Sequence, residues 1–215
     1  MSSLLEPVTR LSLKTSSYII ISMLIGSAVC IGISPALMPQ DYSWLSHSIS
    51  ESAAQGLSWA WVTRTGFLLF GFAVLWLSIC YRFHWGRAAY YFHMLFGLFM
   101  VATAAYSHKH WLTAEPHDAI EDLLHSVTAT GMGFAFALGV LARFFGRNKN
   151  QQGRRLLDLI AIIASFVLPL LGLQLSAYAG LLQRFMFAIA YIWYSQESML
   201  LTHTKAVNKS VTGPR

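Results

Sequence analysis

Six apolar runs of about twenty residues each constrain this 215-residue chain more than any other feature in it. They lie near Tyr18–Met38, Val62–Phe83, Ala88–Ser107, Asp122–Phe145, Leu157–Ala177 and Leu182–Leu201. About 20 helical residues rise ~30 Å, the thickness of a bilayer's hydrocarbon core, where a helix satisfies its own backbone hydrogen bonds. Composition agrees, with 55% apolar and 11% charged residues and a mean hydropathy of +0.51. Soluble domains carry about 25% charged residues. The expectation is an all-α polytopic membrane protein, a single six-transmembrane-helix bundle over residues 1–215. Arg10 and Lys14 precede the first run as they would in a secretory leader. The run is too long for a leader and no small-residue cleavage site follows, so it reads as a helix.

The net charge of +6 points to topology and not to a nucleic-acid partner, because the basic residues fall on alternate loops. Arg10, Lys14, Arg82, Arg87, Arg143, Arg147, Lys149, Arg154, Arg155, Lys205, Lys209 and Arg215 share one side. Only Arg64, Lys109 and Arg184 lie on the other. Both termini are therefore expected in the cytoplasm, the chain being a multi-pass protein of the cytoplasmic (plasma) membrane. The outer side collects the reverse set: Asp41, Glu51, Glu115, Asp118, Glu121 and Asp122, with His47, His108, His110, His117 and His125. Tyr42, Trp44, Trp59, Trp61, Tyr106, Trp111 and Tyr178 mark the same boundary, as interfacial aromatics do. Asn208-Lys-Ser210 resembles a glycosylation acceptor but falls on the inner side. Cys30 and Cys80 sit inside apolar runs and read as small buried hydrophobes.

The first outer loop packs His47, Ser48, Ser50 and Glu51 together and ends at Arg64. Ser48-Ile-Ser-Glu51 has the spacing of a capping box, with Gly56 closing the short helix. The same loop can present His47, Ser50 and Glu51 to a pocket with Arg64, which Gln183 and Arg184 approach from the start of the last run. In the second outer loop, His117, Glu121 and His125 recur every four residues and would share one face of a helix, with Pro116 in its first turn. That pattern suits a divalent metal such as zinc, with His108 or His110 as further ligands; no other cofactor is expected. Deeper in the membrane, Glu197 and His93 are ionisable and read as a buried pair. Gly131, Ala135 and Gly139 give the fourth run a flat ridge for close helix approach, and Pro169 should kink the fifth. No nucleophile elbow and no glycine-rich phosphate loop occurs.

Several of these residues carry a resemblance. Ile49-Ser-Glu51 with Ala53-Ala54, Arg64-Thr-Gly66-Phe67 with Gly71, and Gly180-Leu-Leu-Gln183-Arg184 with Trp193 resemble the uncharacterised prokaryotic membrane family known as domain of unknown function 998. The Ile-Ser-Glu loop is also similar to that of a eukaryotic six-helix group that includes autophagy modulators and a protein of GPI-lipid remodelling. The resemblance implies a six-helix bundle with the motif loop on its outer face and implies no established activity. Members of the prokaryotic family often carry cysteine in the second outer loop, where this chain has histidines.

Three functional readings follow. The first is a membrane protein whose extracytoplasmic pocket binds a lipid headgroup or small anion through Glu51, Arg64 and Arg184, with His47, Ser50, Gln183, His117, Glu121 and His125 around them. The second is a metal-dependent intramembrane lipid hydrolase or transferase. The third is an ion-coupled small-molecule transporter using Glu197 and His93. Membrane lipids are the expected partners.

Overall fold

The computed structural model describes residues 12–112, 114–148 and 150–211, with side chains as far as Leu200. Arg10, Lys149 and Arg215, and the side chains of Lys205, Lys209 and the Asn208–Ser210 triplet, lie outside the described residues. Six α-helices follow one another: α1 (Leu13–Ile33), α2 (Ala60–Tyr81), α3 (Arg87–Ala105), α4 (Ala119–Gly146), α5 (Gln152–Gln174) and α6 (Ala179–Val211). Single 3₁₀ turns at Ser34–Leu37, Glu51–Ala53 and Ser176–Tyr178 punctuate the links, and the described residues contain no strand. Helices α1 to α5 are long and apolar enough to cross a membrane. The sixth expected span falls on α6.

Local chemistry sets the helix ends. The Ser12 hydroxyl accepts from Thr15 N at 3.1 Å, starting α1 five residues before the hydropathy rise at Tyr18. Asp118 caps α4, its Oδ1 accepting from Ile120 N at 2.8 Å and Glu121 N at 3.1 Å. Glu121 and Asp122 then sit in the first turn, where the helix dipole favours acids. Pro116 lies ahead of this cap and not in the first turn as the sequence suggested.

The rods pack in chain order. Helix α2 lies between α1 and α3, α3 against α4, and α6 closes the bundle between α5 and α1. Two glycines let α2 and α3 cross closely: a Cβ on Gly71 or on Gly97 would stand 3.0 Å from the other's carbonyl oxygen. The ridge on α4 faces α3 as its spacing requires, Gly131 against the Phe99 ring and Gly139 against the His93 ring. At the centre, Phe70 stacks on Tyr191 at 4.4 Å, and Phe96, Phe136, Trp193 and Tyr194 continue the aromatic core. Helix α5 is the outlier: it continues through Pro169 and buries only Asp158 and Ala161. Cys30 and Cys80 are unpaired thiols.

Candidate functional site

Polar side chains gather at the two ends of the bundle, here named the motif end, which carries the loop between α1 and α2, and the basic end, where α4 passes to α5. At the motif end the loop folds onto the helix tops by burying Ile49, Ala53 and Ala54. The capping box forms: Glu51 N donates to Ser48 Oγ at 3.1 Å and Ser48 N donates to Glu51 Oε2 at 2.5 Å. Ser52 bonds Thr63 of α2 at 2.9 Å, and Gly56, at φ +79°, turns the chain toward α2.

Helix α6 grips this loop from one side. Gln183 Oε1 accepts from Ile49 N at 2.6 Å, and Leu181 N donates to Leu45 O at 3.0 Å. Arg184 Nη1 donates to the carbonyls of Trp44 (2.9 Å), His47 (3.0 Å) and Gly180 (2.9 Å), and its Nη2 donates to the Tyr42 hydroxyl at 2.8 Å. Gly180 is required at that contact, because any Cβ would overlap the His47 carbonyl. Arg64 grips the other side, donating to Ala53 O through Nε (3.4 Å) and Nη2 (3.3 Å) and to the Ser107 hydroxyl.

Glu51, Arg64 and Arg184 thus meet on one loop, but through its backbone and not through one another. No ion pair joins Glu51 to either arginine among the described residues. Ser50 is buried and lends its carbonyl to Ala53 N at 3.0 Å, with no hydrogen bond to an arginine. His47 Nδ1 accepts from Ser43 N at 2.9 Å, and its ring stacks on Trp111. Trp111 donates to Asp41 at 2.8 Å, closing the second loop over the first. Gln55, unremarkable in the sequence, does the same elsewhere, exchanging bonds with Asp118 N at 2.7 Å and Asp118 O at 3.0 Å. Burial pushes the Tyr42 phenol above its ordinary pKa, with the Arg184 charge opposing.

The expected metal face is not assembled as the spacing suggested. Helix α4 begins at Ala119, so His117 precedes the helix and lies exposed, off the face of Glu121 and His125. His125 is buried and its Nδ1 donates to the Tyr106 carbonyl at 2.9 Å, which leaves Nε2 as a buried nitrogen without a hydrogen bond. Among the described residues no three His, Cys, Asp or Glu side chains are grouped to hold a metal.

The basic end is denser. Arg147 binds Asp158 through Nε and, at 2.8 Å, through Nη2; the same Nη2 reaches Glu197 Oε1 at 2.7 Å. Arg143 and Trp85 bind the other Glu197 oxygen at 3.3 and 3.1 Å, and Trp193 donates to Asp158 at 2.7 Å. The expected Glu197–His93 pair is not made. Two guanidinium groups reach Glu197 first, while His93 Nδ1 meets the Tyr194 hydroxyl at 2.9 Å and its ring stacks on Trp193. The sequence reading assigns Asp158 no role, although an acid at the second position of the fifth apolar run, on the basic side, is a readable signal.

An all-helical chain with five rods fit to cross a bilayer, and with its polar groups gathered at the rod ends, falls in the class of helical membrane proteins. A family model described as a protein of unknown function, DUF998, matches residues 21–196, and the chain belongs to that family. No curated protein and no solved structure matches it.

Proposed function

We propose that this protein binds an anionic group, the phosphate or carboxylate of a lipid headgroup or of a small anion, at Arg184 on the motif end. One observation carries the reading. The Arg184 guanidinium faces four neutral oxygens and no carboxylate among the described residues. Its charge is therefore ordered but not neutralised. Nε and one Nη2 hydrogen take no part in those bonds and remain as donors for an oxyanion. The Tyr42 hydroxyl and the three carbonyls fix the plane of the group, so little side-chain freedom remains to be lost on binding.

Glu51 is placed to help by staying out of the way. One of its carboxylate oxygens accepts from Ser48 N, and it forms no ion pair with the guanidinium among the described residues. Arg64 serves as the loop's second anchor, committed to Ala53 and Ser107. By the distribution of basic residues the motif end is the extracytoplasmic side, so the ligand is drawn from the outer leaflet or the space beyond it.

The test is native mass spectrometry of the full chain offered equal phosphatidylglycerol and phosphatidylcholine. The parent should prefer the anionic lipid. Arg184→Gln should remove that preference, at least tenfold, and Arg64→Gln, which loosens the same loop, should leave it. Equal retention by Arg184→Gln and the parent would defeat the proposal.

A further inference from the structure

Arg184 does not stand on an open surface. It lines the head of a lateral groove of about 590 Å³ between α1 and α6. Ala28, Ile31 and Gly32 of α1, with Pro35 and Ala36 of the turn that follows, line one side, and Ile49, Phe187 and Tyr191 the floor. A Cβ placed on Gly32 would meet nothing within 4 Å, so the cleft reaches to the α1 backbone. Tyr191 brings the one hydroxyl on that floor, and it is spent: Ser27 Oγ donates to Gly66 O at 2.6 Å and accepts from Tyr191 at 2.6 Å. Below the guanidinium the groove therefore offers no free polar partner from its floor. Arg184 to Tyr191 is seven steps along one helix, or about 10 Å at the rise of an α-helix.

From this we infer that the ligand is a membrane amphiphile whose anionic head sits on Arg184 and whose alkyl chain lies in the α1/α6 groove, entering sideways from the bilayer. The inference rests on the anion reading above and narrows it, since a free phosphate or a soluble carboxylate would use the arginine and leave the groove empty. Charge at one end and apolar walls along ~10 Å of helix match the two halves of such a molecule. Trp44, half exposed on the rim, lies at the head of the groove, where an indole suits the boundary between headgroup and chain.

The experiment uses two probes on the full chain in detergent: phosphatidylglycerol with sixteen-carbon chains, and glycerol phosphate, which has the head and no chain. Gly32→Leu fills the groove without touching an Arg184 hydrogen bond, and Ala36→Leu does the same from the next turn should the first variant fold poorly. The expected result is a tenfold or greater loss of bound lipid in the filled variants, with glycerol phosphate binding kept within twofold of the parent. Arg184→Gln should weaken both probes. Filled variants that retain the lipid as the parent does would overturn the groove while leaving the arginine site standing. If Arg184→Gln leaves both probes unchanged while Gly32→Leu still expels the lipid, the anion reading fails and the chain site survives alone. An unsaturable uptake of lipid, equal in all variants, would mean only a bilayer annulus and would end the inference.

Discussion

The two ends of the bundle use arginine in opposite ways. At the basic end Arg143 and Arg147 meet two carboxylates, Asp158 and Glu197, so two positive and two negative charges cancel, all buried except the half-buried Arg143. At the motif end Arg64 and Arg184 meet carbonyls and hydroxyls, and their charge is left over. A neutral cluster holds helices together and offers little to a ligand. On the proposed reading, the ordered but unneutralised Arg184 is the group that meets an anion. The contrast teaches that burial and hydrogen bonding do not by themselves tell the two ends apart; the charge balance does.

The contrast fails first, if it fails, at Asp158. Asp158→Ala leaves the Arg147 guanidinium with Glu197 alone, which Arg143 shares, in a buried site where its Nη1 already lacks a partner. Removing one member of a buried pair typically costs about 3–5 kcal/mol, because the survivor cannot return to water. Thermal unfolding in detergent should show the largest loss of any single change considered, and α5, which buries little else, should become the most protease-sensitive helix. If Asp158→Ala melts with the parent, the cluster is no brace. Lipid capture at the motif end should persist in whatever fraction remains folded.

Next in size is Gly180→Ala. The added methyl would overlap the His47 carbonyl, so α6 and the loop must part and the Arg184 bonds must lengthen. An overpacked contact of this kind costs about 1–3 kcal/mol. Unlike Asp158→Ala, it should also lower retention of anionic lipid in the folded fraction. Loss of stability with full retention would show that loop and ligand are independent.

How much of this was readable in the chain divides along physical lines. Hydropathy gives the rods because each is decided by its own twenty residues, and the capping box is readable because Ser48 and Glu51 are three apart. The Arg184–Tyr42 bond joins residues 142 apart and depends on α6 lying beside the α1–α2 loop, which no local pattern specifies. His117 misled for a related reason. Four-residue spacing implies a shared face only if the helix includes both residues, and Asp118 caps α4 one position too late. Glu197 and His93 are both buried, but Arg147, which reaches Asp158 and Glu197 from the end of α4, takes the carboxylate, while His93 meets Tyr194.

A smaller effect is expected from Glu51→Gln. It keeps the shape of the capping box and removes its charge, so a loss of about 1 kcal/mol or less is expected, in line with other caps. Because Glu51 makes no ion pair with Arg184, lipid retention should not fall. A clear rise in anionic lipid affinity would instead mean that Glu51 opposes the ligand through space, and that the motif end is more nearly balanced than its hydrogen bonds suggest.

The smallest effect is a matter of pH and involves Tyr42. Its phenol donates to Ser48 O at 3.0 Å and accepts from Arg184, and burial raises its pKa over the ordinary value of about 10. A raised folded-state pKa means that the fold favours the protonated phenol. The stability it contributes is complete below the unfolded pKa of about 10 and is lost as pH climbs through the folded value. The parent's own alkaline decline sums every group in the chain and so says little about this one. The difference from Tyr42→Phe isolates the group: the parent should be the more stable at pH 7, and the gap should narrow above pH ~10. A gap that widens with pH would mean that the Arg184 charge outweighs burial and holds the phenolate in place. Arg184 would then already have an anionic partner within the chain at high pH, and lipid capture should fall over the same interval.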